Sequence, residues 1–402
     1  MSLTISILGL AFLILVHEAG HFFASLAVGL RPRRFYVGFP PALVKTKRKG
    51  IEYGIGAIPL GGFVSIPGMH RPIAHDAERR FYHAVSEAPA LSGPVDRVKR
   101  LVEEDDFAAT LAALDDLERA LAQHELSSDA ASRAGKGLTE LRDALGPDAY
   151  WKADTWRRLV AIFAGPAANI VLALVLYTLL FTMIGGPPSR VVATVTDDSP
   201  AQEAGLRPGD RIVAIDGTPV NGEELGQRVL DSQGRPLVLT VVRDGAEIEL
   251  PPVRPAPTDD GYRIGIVRGG TGLALPDAAW RSVEITGIVT REIVKAIGGL
   301  ATGEGRENIA SPIGIAQASS DAVDQGTEQY LWVLGLISLS LALLNLLPLL
   351  PLDGGHILFT LIEGARGSFV KREVYERVSV VGLAIVLVLF VVGLSNDIGR
   401  LS

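Results

Sequence analysis

The chain has 402 residues, of which 48% are hydrophobic and only 21% charged, and its mean hydropathy is +0.30. A soluble globular chain of this length would carry more charge and a lower hydropathy, so the composition is that of a membrane protein. With 38 basic against 45 acidic residues there is no cationic surplus to draw nucleic acid, and the absence of cysteine excludes disulfides, thiolate catalysis and Cys-ligated metal sites.

A helix that crosses the bilayer needs about 20 mostly apolar residues. Four stretches qualify: Leu3 to Val28, Leu159 to Ile184, Leu331 to Leu350 and Val378 to Leu394. The first is not a cleaved signal peptide, because no basic residue precedes it and it contains two histidines and a glutamate. Arg31, Arg33, Arg34, Lys45, Lys47, Arg48 and Lys49 follow the first stretch, Arg157 and Arg158 precede the second, and Arg366, Lys371 and Arg372 separate the last two. The bias of Lys and Arg toward the cytoplasm puts 34–158 inside, and both termini and the segment from Gly185 to Tyr330 outside.

Residues 34–69 read as short strands broken by Gly and Pro, a hairpin that either lies on the headgroups or re-enters the membrane beside a wet cavity. Residues 70–150 hold 16 acidic and 10 basic residues, which accounts for almost all of the net charge of −7. Phe107, Leu111, Leu114, Leu117 and Leu121 form one helical stripe, and Leu138, Leu141 and Leu145 a second, so a helical hairpin or small bundle is expected, most simply a solvated spacer packed on itself. His70, His75 and His83 share no helical face and read as surface histidines. Residues 188–268 are β-rich, with Asp244-Gly245 as a hairpin turn. The run Ser199-Pro200-Ala201-Gln202-Glu203-Ala204-Gly205-Leu206-Arg207-Pro208-Gly209-Asp210 resembles PDZ domains of the bacterial type, which implies binding of peptide C-termini. The stretch 277–300 is patterned as an amphipathic helix.

The chemistry concentrates in His17-Glu18-Ala19-Gly20-His21. On a helix His17 and His21 lie one turn apart on one face, so both imidazoles can reach one ion, with Glu18 beside them to take a proton from water. Inside an apolar span the pattern is hard to explain otherwise, since an unpaired carboxylate there costs at least about 3 kcal/mol. A hydrolytic zinc site takes three protein ligands, and the third candidate is Asp353 in Leu352-Asp353-Gly354-Gly355-His356, with His356 as its rival. Pro348 and Pro351 would break the third helix there, and Gly354-Gly355 would permit close backbone approach.

Together with Asn345, Val37-Gly38-Phe39-Pro40, Pro59-Leu60-Gly61-Gly62-Phe63-Val64 and Phe163-Ala164-Gly165-Pro166-Ala167-Ala168-Asn169, these motifs resemble the site-2 protease family, intramembrane zinc metalloproteases of bacterial inner membranes and other membranes. The resemblance covers roughly 300 of the 402 residues. It implies Zn²⁺ on His17, His21 and Asp353, Glu18 as general base and acid, and substrate contacts from Asn345, Asn169, Gly61 and Gly62. It also implies single-span membrane proteins as substrates, cut after a first cleavage outside the membrane, as with anti-sigma factors or remnant signal peptides. The chain departs from relatives that carry two PDZ domains, in the acidic insertion, and in Ser311 before Pro312, where relatives usually have Gly.

The expected fold is thus a polytopic α-helical membrane protein. It comprises a first span with the metal motif (1–33), a re-entrant hairpin (34–69), a cytoplasmic helical insertion (70–152) and a second span (153–187). An extracytoplasmic PDZ domain (188–268), an amphipathic segment (269–327), a third span with the Asp motif (328–365) and a fourth span (366–402) follow. Two other functions compete: a membrane PDZ adaptor with an inactive metal site, which has no use for Glu18, and a metal-ion transporter, which would need ionisable residues along several spans.

Overall fold

The computed structural model describes residues 1–258, 261–302, 305–306 and 309–401. Its elements run α1 (Ser2–Ala27), β1 (Arg34–Arg48), β2 (Ile51–Ser65), α2 (Ala74–Glu87), α3 (Ser92–Glu103), α4 (Phe107–Ala122), α5 (Ser128–Leu145) and α6 (Thr155–Met183). Then follow β3 (Gly185–Val195), α7 (Pro200–Glu203), β4 (Arg211–Ile215), β5 (Thr218–Pro219), α8 (Gly222–Asp231), β6 (Leu239–Arg243), β7 (Ala246–Glu249), β8 (Ala256–Thr258), β9 (Gly261–Arg263) and β10 (Ile266–Gly272). The chain closes with α9 (Leu275–Thr302), α10 (Pro312–Gln325), α11 (Thr327–Asn345), α12 (Asp353–Arg366) and α13 (Arg372–Leu401). It divides into two compact units. One holds Met1–Ala173, Thr290–Asp324 and the chain from Leu336 onward, and the other holds Leu174–Val289 and Gln325–Gly335.

Helices α1, α6, α11 and α13 are long and apolar enough to cross a membrane. Much of their apolar surface is exposed, as at Val380 (67%) and Val388 (62%) on α13, which in water would be an aggregation hazard and in a bilayer is the solvated face. The third of them is shorter than its apolar run suggests. It ends at Asn345, because Pro348 and Pro351 cannot continue the helical hydrogen-bond ladder, and residues 346–352 turn back into α12.

The 34–69 region is more regular than short, broken strands. β1 and β2 are 15 residues each, and their register folds them over one another. Arg34–Val37 lies between Glu52–Ile55 on one side and Gly62–Ser65 on the other, while Ala42–Arg48 pairs with Ile51–Gly56. The sheet therefore has Ala42–Arg48 and Gly62–Ser65 as its two edges. Prolines are tolerated here because the pairing shifts register between Val37 and Ala42, so no ladder bond is demanded of each successive residue.

The acidic insertion is a four-helix bundle, α2 to α5, around Phe81, Leu91, Val98, Leu114, Leu117, Leu138 and Leu141. It does more than pack on itself. Arg33 donates to Asp143 and Asp148, each at 2.8 Å, and Arg372 at the start of α13 donates to both oxygens of Asp76. Arg71 sits over the rings of Phe107, Trp151 and Phe369 at 5.6 to 5.7 Å. His70 is also not a surface residue: its ring packs edge-on to Tyr375 at 4.7 Å, and burial pushes its imidazole below the usual histidine range.

In the other unit, β10, β3, β4, β6 and β7 form the main sheet, with β5 paired to β4. The expected hairpin turn is present, Asp244 and Gly245 both having positive φ (51° and 85°) between β6 and β7. Asp210 is buried and saturated with donors: Arg243 approaches both its oxygens at 2.7 Å, and the Arg207 amide adds a third bond. The Arg243 guanidinium holds this carboxyl below the usual range. The amphipathic helix expected over 277–300 is α9.

Candidate metal centre

Three ligand-type atoms converge where α1, α6 and the start of α12 meet. His17 Nε2 lies 3.2 Å from His21 Nε2, and Asp353 Oδ2 lies 3.2 Å from the first and 3.3 Å from the second. The two imidazoles are buried, one helical turn apart as their spacing requires.

Each ring is oriented from behind. The Nδ1 of His21 is 2.9 Å from the carbonyl oxygen of Ala161, which can only accept, so Nδ1 carries the proton and Nε2 offers a lone pair. The side-chain nitrogen of Asn169 lies 3.5 Å from His17 Nδ1, and its side-chain oxygen is buried without a hydrogen-bond partner. The buried Asp353 Oδ2 also has no hydrogen-bond donor. His21 Nε2, with its lone pair, and the unpartnered Asp353 Oδ2 thus face one another beside His17 Nε2, an arrangement that a cation would relieve. Their separations match the edges of a tetrahedron around an ion about 2.0 to 2.1 Å from each, the distances of zinc to nitrogen and oxygen. The residues fit the metal.

Small residues make this convergence possible. A Cβ at Gly165 would run into the His21 ring, and one at Gly20 would run into the Ala164 carbonyl, so α1 and α6 cross at two glycines. A Cβ at Gly354 would strike the carbonyls of Leu346 and Leu347, and one at Gly355 the chain at Leu349 and Leu350. These two glycines let the turn after α11 fold tightly enough to carry Asp353 back to the histidines. Gly62 serves the sheet in the same way: its Cβ would lie 2.9 Å from Glu18 Cγ and 2.7 Å from the Tyr36 carbonyl oxygen. The edge Gly62–Ser65 therefore lies directly against Glu18, whose carboxylate also meets the Val64 amide.

The profile of peptidase family M50 matches residues 5–389. The chain belongs to this family, the site-2 proteases. Among its relatives, a protein of Agrobacterium fabrum named as a zinc metalloprotease is 31% identical, covering 98% of this chain and 95% of its own length. The zinc metalloprotease RasP of Geobacillus kaustophilus is 28% identical, with 96% and 95% covered, and the protease eep of Enterococcus faecalis is 27% identical, with 96% of each covered. The M50 protein described here is a zinc metalloprotease, and the cluster of His17, His21 and Asp353 is the candidate site for its zinc.

Other expected site residues fall unevenly. His356, the rival ligand, is not in the cluster; its ring is 6.5 Å from that of His70 and 6.0 Å from that of Tyr375. It stands three positions after Asp353 on α12, about 300° around the helix and about 4.5 Å further along it. Asn345 donates to the Leu341 carbonyl at 3.0 Å, at the last turn of α11. Gly61 sits beside Gly62 on the hairpin edge with φ of 136°, a conformation that favours glycine. The Ala161 carbonyl was not legible in sequence, because a backbone acceptor has no residue signature. Also missed was the buried Arg158–Glu363 pair, in which Glu363 accepts the Val370 amide as well and so fastens α6 to the loop after α12.

Proposed function

We propose that the protein hydrolyses peptide bonds within the transmembrane segments of single-span membrane proteins, after a first cut outside the membrane. Anti-sigma factors and remnant signal peptides are the substrate classes in view. The observation that carries the reading is the juxtaposition of Glu18 with both the three-ligand cluster and the sheet edge Gly62–Ser65. A helical substrate hides its carbonyls in its own hydrogen bonds and must unwind before it can be cut. The edge Gly62–Ser65, with Gly61 and Gly62 allowing close approach, offers replacement bonds to the unwound strand. Asn345 is assigned to hold the same backbone, and Asn169 acts beside it at the site through His17.

His17, His21 and Asp353 would hold the zinc, whose Lewis acidity would polarise a carbonyl and acidify water. Glu18 takes the proton from the attacking water and returns it to the leaving amine. In this reading the protein is a multi-pass protein of a bacterial inner membrane. Residues 34–158 are cytoplasmic, and the termini and the 188–268 domain are outside, where that domain captures peptide C-termini in the PDZ manner.

The test is to co-reconstitute a single-span substrate lacking its ectodomain with the wild-type protein or with Glu18→Gln, and to map products by mass spectrometry. A cut inside the apolar segment that Glu18→Gln abolishes is the expected result. No cut across a varied panel, with zinc shown to be bound, would replace this reading with that of a membrane adaptor.

A further inference from the structure

An open cavity of about 1170 Å³ lies between the end of α1 and the tip of the β1–β2 hairpin, away from the metal centre. Arg31, Arg33, Arg48 and Lys49 line it, together with Leu26 and Tyr53, and no acidic side chain does so among the described residues. Arg33 is already committed to Asp143 and Asp148. None of Arg31, Arg48 and Lys49 has an acidic partner among the described residues, so three cations face one space without neutralisation. Solvated charge runs are common on loops, but here the backbone that carries two of the three is set by a tight turn. Lys49 and Gly50 both have positive φ (51° and 84°), a two-residue turn that sets the backbone from which Arg48 and Lys49 extend. Phe22 packs against Phe35 and Tyr53 at 5.0 and 5.9 Å and ties the hairpin to α1.

The remaining wall is apolar and continues into the first span. Leu26 is 39% exposed, and Phe23, one turn earlier on the same helix, is 66% exposed. A ligand that fills the space must carry negative charge at the mouth and a hydrocarbon chain along Leu26 and Phe23. We infer that this cavity binds the headgroup of an anionic phospholipid, its phosphate held by Arg31, Arg48 and Lys49 and an acyl chain lying along α1. A soluble phosphate satisfies the cations but leaves the apolar wall bare. The site belongs to the hairpin whose opposite segment, Gly62–Ser65, meets Glu18, so lipid would brace the same sheet at its tip.

The inference stands apart from catalysis, and its test uses the full-length Glu18→Gln protein, in which hydrolysis plays no part. The probe is a fluorescent phosphatidylglycerol in dodecyl maltoside micelles, compared with phosphatidylcholine carrying the same chains and fluorophore. Tighter binding of phosphatidylglycerol is expected, weakened about fivefold by Arg31→Gln and about 25-fold by the double substitution Arg48→Gln, Lys49→Gln, at about a fivefold effect per cation. Arg119→Gln on the insertion should change nothing. Equal binding of the two lipids, or unchanged binding by the variants, would overturn the inference. So would displacement of the lipid by millimolar inorganic phosphate, which would make this a site for soluble anions. If the variants misfold, the salt series on the Glu18→Gln protein decides: phosphatidylglycerol affinity must fall as ionic strength rises, and a flat response refutes the site.

Discussion

Two carboxylates, Asp210 and Asp353, are each held by basic side chains, yet they are opposites chemically. Asp210 accepts from the Arg243 guanidinium on both oxygens and from a backbone amide, so every charge has its donor and nothing further is required. Asp353 faces two imidazole nitrogens, of which His21 Nε2 offers a lone pair because its Nδ1 donates to the Ala161 carbonyl, and its Oδ2 accepts nothing. The saturated pair is a brace and the unsaturated one a candidate ligand cage. Proximity of charge is therefore a poor guide to function, and the direction in which donors point is a good one.

The sharpest way to separate the two is to remove a group from each and ask what is lost. Within the cage, Glu18→Gln should cost at least about 10³-fold in cleavage while zinc, measured by elemental analysis, stays bound. Asp353→Asn comes next: zinc content and cleavage should fall together, and full activity in this variant would take Asp353 out of the ligand set. Gly62→Ala replaces neither a proposed ligand nor the proposed base, but its Cβ meets Glu18 Cγ and the Tyr36 carbonyl oxygen. A displacement of that size should lower kcat about tenfold with zinc unchanged, and an unaffected kcat would deny that the hairpin edge positions the base.

The smallest effect belongs to the brace. Since Asp210 has a depressed folded-state pKa, its contribution to stability is full above the unfolded value of about 4 and fades as pH falls through the lower folded value. Arg243→Gln should flatten that acid-side slope in thermal unfolding of the protein without altering zinc content. An unchanged slope would mean that other carboxylates dominate.

Much of this comparison was legible in the sequence for physical reasons. His17 and His21 are four apart on one helix, and Pro351, Asp353 and Gly354 fall within four positions, so their chemistry is written in local spacing. What joins distant segments was not. The Arg158–Glu363 pair spans more than 200 positions, and nothing near either residue announces the other. Helices α2 and α3 escaped notice because their buried faces rely on alanine and valine, at Ala77, Ala84, Val95 and Val98, rather than a leucine stripe. The sheet order of the hairpin depends on which halves of β1 and β2 face each other, and that is a property of the folded register.

The short edge beside Glu18 has a consequence for selectivity. Four residues, Gly62 to Ser65, span about 13 Å of strand, and side chains on a paired strand alternate between faces. An unwound segment laid there would present only about two side chains to the base and two away from it. So brief a frame reads little of a sequence. On the proposed function, a segment's ease of unravelling, through glycine or a poor helix former near the middle of the bilayer, would govern whether it is cut. Substrate surveys should then sort by helix stability before they sort by consensus.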